Sequence, residues 1–260
     1  MPDTLRYLIL GLVQGITEFL PISSDGHLVI LSRWVKAPGD GLTLVVLLHL
    51  GSLGALIWAF RRELKGLVRP WSDDEGGKGG EKRHLLGLIA LATIPAVIVG
   101  PVIHSLFVDA FDSPVLAGAM LMLTGIILMA TRVCPDGNSK PNARSALVMG
   151  VAQAFALLPG LSRAALTLAA GFALGVNRKR VARFSFLMAM PAIAGANLFE
   201  LTRAGGFPPV EPVGLVVGIL AAFVASLVAI RAVLGLVQRG RFEWFGVYCL
   251  VVGLLVLSLG

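Results

Sequence analysis

Four side chains in this chain of 260 residues have the types and spacing for work on an oxyanion: Glu18, Ser24, His27 and Arg163. Glu18 interrupts an apolar stretch. A carboxylate there is costly unless it is paired, so it serves either a structural ion pair or chemistry, as a metal ligand or proton-transfer group. Just downstream, Ser23-Ser24-Asp25-Gly26-His27 concentrates polar groups. A serine becomes a nucleophile when a base lies within hydrogen-bond reach, and His27 follows Ser24 by three residues, about one helical turn. Ser23, Ser24 and Asp25 are each also ordinary helix N-caps. Arg163 splits a long apolar run. Its guanidinium suits a bidentate oxyanion, phosphate or carboxylate, and the alternative is an internal pair with Glu18. Ser162 and Thr167 add hydroxyls, and the free N–H groups of a helix beginning after Ser162 complete an anion cradle. No nucleotide-loop, dinucleotide or zinc-protease motif occurs. The two cysteines, Cys134 and Cys249, have neither zinc spacing nor a disulfide framework.

These residues sit on two segments of one pattern. The stretches from about Thr4 to Trp34 and from about Ser145 to Val176 are apolar but broken in the middle, the first over Glu18–His27 and the second over Leu158–Arg163. Proline, glycine and hydroxyl residues together end a helix. Non-helical backbone at membrane depth survives only where protein or a wet cavity satisfies it, so both segments read as re-entrant helical hairpins. Gly11-x-x-Gln14 precedes Leu20-Pro21 and Ser23, and Gly150-x-x-Gln153 precedes Leu158-Pro159 and Ser162. Matching broken segments in two halves point to a shared membrane binding site.

The surrounding chain is 56% hydrophobic and 14% charged, too little charge for a water-facing surface of this size. This excludes a soluble enzyme and a disordered tail. The net charge of +7 sits in short loops, as membrane topology requires, so no nucleic-acid partner is expected. Gly41–Phe60, Leu85–Val108, Ser113–Thr131, Pro212–Ile230 and Trp244–Gly260 are free of Asp, Glu, Lys and Arg, and Phe184–Leu201 carries only Glu200. Each is close to the length of a membrane helix. The expected fold is an all-α integral membrane protein, six transmembrane helices plus two re-entrant hairpins in an inverted repeat. It forms a single domain over 1–260, with halves of approximately 1–133 and 143–260. Lys and Arg concentrate in Arg61–His84, Arg132–Arg144, Asn177–Arg183 and Arg231–Glu243, which the positive-inside rule makes cytoplasmic. His104, Asp109 and Asp112 read as solvated outer-loop residues. Asn197 and Glu200 either reach the site or pair locally, and Gly118, Gly125, Gly171 and Gly175 mark close helix contacts.

At the level of motifs, Gln14-Gly-Ile-Thr-Glu-Phe-Leu-Pro-Ile-Ser-Ser-Asp-Gly-His27 resembles the first signature of the bacterial undecaprenyl-diphosphate phosphatases of the BacA type, and Leu158-Pro-Gly-Leu-Ser-Arg163 resembles the second. The resemblance covers nearly the whole chain. It implies a multi-pass inner-membrane enzyme that removes the terminal phosphate of undecaprenyl diphosphate, with Mg2+ or Ca2+, at a site open to the periplasm. Glu18, Ser24, His27 and Arg163 then match catalytic positions, Glu18 also a metal ligand, and Gln14, Ser23, Ser162, Arg163 and Thr167 match substrate-binding positions. Gln14 stands where many members carry glutamate, and Ala164-Ala165 replaces Ser-Gly. The alternative function is a transporter or flippase for an anionic polyprenyl phosphate. Expected partners are the polyprenyl diphosphate and membrane lipids, with a homodimer left open.

Overall fold

The computed structural model describes residues 2–35, 41–68, 78–107, 113–203, 211–240 and 242–259, and these are organised as eleven α-helices. Asp109 and Asp112 lie outside the described residues, as does the side chain of His104. The first broken segment is α1 (Asp3–Phe19) and α2 (Ser24–Val35); α3 (Gly41–Ala59), the short α4 (Arg61–Val68), α5 (Lys78–Phe107) and α6 (Pro114–Ala130) follow. The second broken segment is α7 (Ala143–Phe155) and α8 (Arg163–Ala173), followed by α9 (Arg178–Arg203), α10 (Pro212–Arg239) and α11 (Glu243–Leu259). The chain is an all-α protein with helices built for a membrane. Within α5, α9 and α10, and over α6 with the turn after it (Pro114–Val133), lie stretches long and apolar enough to cross a bilayer, and α3 with α4, bent by 72°, makes a fifth when counted together. Val97, Ile98, Val228 and Leu254 are each at least 60% exposed, which suits a lipid-facing surface.

Three helices overrun the charge-free stretches that announce them. α5 begins at Lys78, α9 begins at Arg178, and α10 continues to Arg239. Charge ends a hydrocarbon span but not a helix, because Lys and Arg are good helix formers whose heads reach past the apolar zone.

The breaks come from local chemistry. Pro21 follows the end of α1, and Ser23 takes φ +67, a conformation uncommon for a residue with a Cβ. Its hydroxyl accepts from the Gly26 N–H at 3.3 Å and so caps α2. In the second break Gly160 takes φ +93, and the Ser162 hydroxyl accepts from the Ala165 N–H at 3.2 Å to start α8. An Asn142–Ser145 capping box starts α7.

The two broken segments pack in corresponding ways. α1 lies on α10 as α7 lies on α5, α3 meets α10 as α9 meets α5, and α3 also meets α9 while α6 meets α11. The Gly-x-x-Gln pattern explains the first correspondence. A Cβ on Gly11 would lie 2.9 Å from the Gly218 Cα, and one on Gly150 would lie 2.8 Å from the Ala92 Cα, so each hairpin helix touches its neighbour's backbone. Gly118 and Gly125 let α6 approach α11 at Gly253 and Gly246. Gly171 packs on Val181, whereas Gly175 is a different case: with φ +69 and open space at its Cβ position, it ends α8 rather than marking a helix contact. Phe19 at the end of α1 meets Phe186 of α9 edge to face at 5.6 Å, fixing the first break against the second half. The basic loops gather ion pairs: Arg183 with Glu63, Arg178 with Asp136, and Lys140 with Glu81 at 3.3 Å.

Candidate active site

Glu18 is in the last turn of α1, and four side chains converge on its carboxylate. Arg163, the first residue of α8, donates from Nη2 to Oε1 at 2.5 Å. Ser24, the first residue of α2, donates to Oε2 at 2.6 Å. Gln14, one turn earlier on α1, donates from Nε2 to Oε2 at 3.1 Å and approaches the Ser52 hydroxyl at 3.4 Å. His49 of α3 places Nε2 3.2 Å from Oε2 and 3.7 Å from Asp25 Oδ1. Its Nδ1 lies 2.8 Å from the Val45 carbonyl, so both ring nitrogens face oxygens. The two breaks make this cluster possible. Each ends one helix and starts another, and the two come together, so a helix C-terminal acid and two helix N-terminal residues meet.

The cluster lines one side of a cavity of about 770 Å³ bounded by α2, α3, α5, α7, the second break and α9. Glu18, Ser23, Ser24, Ser162 and Arg163 are on its wall, together with Asp25 and His49. Away from these groups the lining is mainly apolar, with Val97, Pro101, Ile193 and Phe199 among it. Asn197 and Glu200 also line it, and Glu200 is bonded to Arg203 at 2.6 Å, so Glu200 both reaches the cavity and pairs locally.

Three of the sequence-selected residues are placed elsewhere. His27 is not brought to Ser24. Its Nδ1 is 2.7 Å from the Ser23 carbonyl and its Nε2 2.8 Å from the Tyr248 hydroxyl, and its ring stacks on Tyr248. Because Ser24 is the first residue of α2, its hydroxyl turns back across the break to Glu18, while His27 follows the helix to α11. Thr167 turns from the cavity to the α8–α9 contact, where its hydroxyl is 2.7 Å from that of Ser185. Gln14 is fully buried behind Glu18 rather than on the wall. Ala164 and Ala165 are also buried and absent from the cavity wall, so the Ser-Gly replacement alters packing beside Arg163, not the lining. His49 is the site residue that the motifs miss. It sits in a stretch selected for having no Asp, Glu, Lys or Arg, and its one available signal was being the polar ring in an apolar helix.

Comparison with known proteins identifies the family. The family model described as "Bacitracin resistance protein BacA" matches residues 7–255. The chain belongs to that family. This BacA-family chain is 36% identical to the undecaprenyl-diphosphatase of Rhodopirellula baltica over 265 residues, covering 100% of this chain and 99% of the relative. It is 38% identical to that of Desulfatibacillum aliphaticivorans over 270 residues, at 97% of each chain, and 36% identical to that of Korarchaeum cryptofilum over 259 residues, also at 97% of each.

As arranged here, the BacA-family site does not fit a metal caged by protein alone. Both oxygens of Glu18 already accept from protein donors. Among the described residues no group of three His, Cys, Asp or Glu side chains is disposed to hold an ion. Hard divalent cations are often held by one or two carboxylates plus substrate phosphates, which is a different arrangement.

Proposed function

We propose that this chain is an undecaprenyl-diphosphate phosphatase that releases undecaprenyl phosphate and inorganic phosphate, recycling the lipid carrier of cell-wall synthesis. The observation that carries this reading is the contact of Ser24, Glu18 and Arg163 on the wall of a largely apolar cavity. A nucleophile, its proton acceptor and an oxyanion-binding cation meet beside space for a prenyl chain.

In this mechanism the headgroup takes the place of the Glu18 carboxylate on the Arg163 guanidinium, which suits phosphate geometry bidentately. The Ser24 oxygen attacks the terminal phosphorus and its proton passes to Glu18. The bond to the bridging oxygen breaks, and undecaprenyl phosphate leaves with the electron pair. Water then cleaves the phosphoserine, completing phosphate release. His49 and Gln14 orient the carboxylate from behind, Ser23 and Ser162 shape the two helix starts, and His27 holds α2 on α11. A Mg2+ or Ca2+ ion would enter with the diphosphate and neutralise part of its charge.

We place the chain in the bacterial inner membrane with six spans, two re-entrant hairpins and inverted halves of about 1–133 and 143–260. The reciprocal packing of α1 on α10 and α7 on α5 supports the inversion. The basic ion pairs involve residues near the starts of α5 and α9, and the cavity involves residues 93–103 and 191–200, farther along the same helices. That separation supports a cavity opening to the periplasmic side.

The test is phosphate release from undecaprenyl diphosphate by purified protein. Wild type releases phosphate, Ser24→Ala abolishes release, and a trapped phosphoserine maps to Ser24. Ser24→Ala turning over at the wild-type rate removes the serine route. Folded wild type that moves lipid without releasing phosphate replaces the phosphatase reading with transport.

A further inference from the structure

Gln153 is a buried amide with nothing to bond. It is 2% exposed, and neither its Nε2 nor its Oε1 has a hydrogen-bond partner among the described residues. It lines the cavity with Ser162 and Arg163. Leaving a buried polar group unsatisfied costs about 1–3 kcal/mol, and folded proteins keep few such groups. Both amide ends are unsatisfied in a residue that lines a cavity, which points to a ligand that satisfies them once the side chain turns inward.

The comparison of the two hairpins gives the reason for the missing partner. Gln14 and Gln153 occupy the same place in the two Gly-x-x-Gln patterns. Four residues after Gln14 comes Glu18, which accepts its amide at 3.1 Å. Four residues after Gln153 comes Leu157, which also lines the cavity and accepts nothing. The first hairpin thus uses its glutamine to orient a carboxylate. The second keeps the glutamine and discards the internal acceptor, and Arg163 lines the same cavity. An amide can turn either end inward, and an anion selects the N–H end.

We propose that Gln153 is a substrate-binding residue whose Nε2–H donates to a phosphoryl oxygen of the bound lipid diphosphate. This rests on the phosphatase reading. Arg163 provides charge, and Gln153 provides a neutral, directional donor that distinguishes a diphosphate headgroup in place from one displaced along the apolar part of the cavity.

The experiment uses purified full-length protein, with undecaprenyl diphosphate as substrate and inorganic pyrophosphate as a competing headgroup. Gln153→Leu and Gln153→Met remove the amide while filling its space. Their unfolding temperatures are expected to equal or exceed that of wild type, because no orphaned amide remains. Their kcat/KM is expected to fall about 10- to 100-fold, the range of one hydrogen bond to a charged group, mostly through a higher KM. The inhibition constant of pyrophosphate should rise by a similar factor. A residue that merely fills the wall would shift neither KM nor the inhibition constant. Gln153→Glu keeps the size but turns a like charge towards the headgroup, and is expected to be worse than Gln153→Met. It remains informative should the apolar variants fail to fold. Folded Gln153→Leu, →Met or →Glu protein with wild-type KM and wild-type pyrophosphate inhibition overturns the assignment while leaving the phosphatase reading intact. Wild type that releases no phosphate overturns both.

Discussion

Replacing Glu18 with Gln changes one charge and almost no volume, which makes it the sharpest probe of the site. The carboxylate receives Arg163 on Oε1 and Ser24, Gln14 and His49 on Oε2. An amide has one acceptor oxygen. If that oxygen faces the three donors at Oε2, the NH2 group meets the Arg163 guanidinium, donor against donor. If it faces Arg163, the NH2 group meets the other three. Either way the part-buried Arg163 loses its counter-charge; breaking one side of a fully buried pair costs about 3–5 kcal/mol, and this pair falls towards the lower end. Catalysis suffers separately, because Ser24 loses its proton acceptor, and general-base removal costs about 10²- to 10⁴-fold. The assays are phosphate release and thermal unfolding of Glu18→Gln, Arg163→Gln and the double variant. Both singles are expected to unfold at lower temperature than wild type. The double is expected to be more stable than the sum of the single losses predicts, since it has no unpaired charge. Glu18→Gln with wild-type turnover would refute the proton-acceptor role. Strictly additive stability losses would refute the coupling of Glu18 to Arg163.

His49→Leu removes the imidazole contact to Glu18 and Asp25, and kcat/KM should fall about tenfold, as expected for a hydrogen bond to a charged group; phosphate release measures it, and an unchanged value excludes His49 from the site. Tyr248→Phe removes the partner of His27 Nε2, and a double-mutant cycle with His27→Asn should be non-additive in activity because both changes break the same hydrogen bond; additive effects would separate the two residues. Gly125→Val sets a side chain where a Cβ would be 2.7 Å from the Gly246 carbonyl oxygen, and overpacking of this kind costs about 1–3 kcal/mol, seen as a lower unfolding temperature. Ligand-free protein should bind Mn2+ no more tightly than about 10⁻⁴ M, since Glu18 has no open oxygen; tight binding detected by electron paramagnetic resonance and lost in Glu18→Gln would show a preformed metal site.

Much of this protein is legible from local pattern. Runs without charge mark the long helices, because a membrane core excludes ions whatever the distant packing. Pro21, Gly160 and the serines mark the two breaks, because proline chemistry, positive φ and N-capping act within a few residues. The duplicated Gly-x-x-Gln pattern marks the two hairpin helices, and the acid, serine and arginine that gather at Glu18 all flank those breaks. Which side chains complete the site is decided by how each helix is rotated about its axis and which neighbour it meets. That rotation sends His27 to Tyr248, 221 residues away, and Thr167 to Ser185. It also carries His49 from an apolar helix to Glu18, and leaves Gln153 beside a cavity with its amide unpartnered. These are contacts between faces of different helices, set by the close approach of Gly11 to α10 and Gly150 to α5 and by the meeting of Phe19 with Phe186. No spacing along the chain encodes them, because a helix presents every side of its surface and only packing selects the one turned inward.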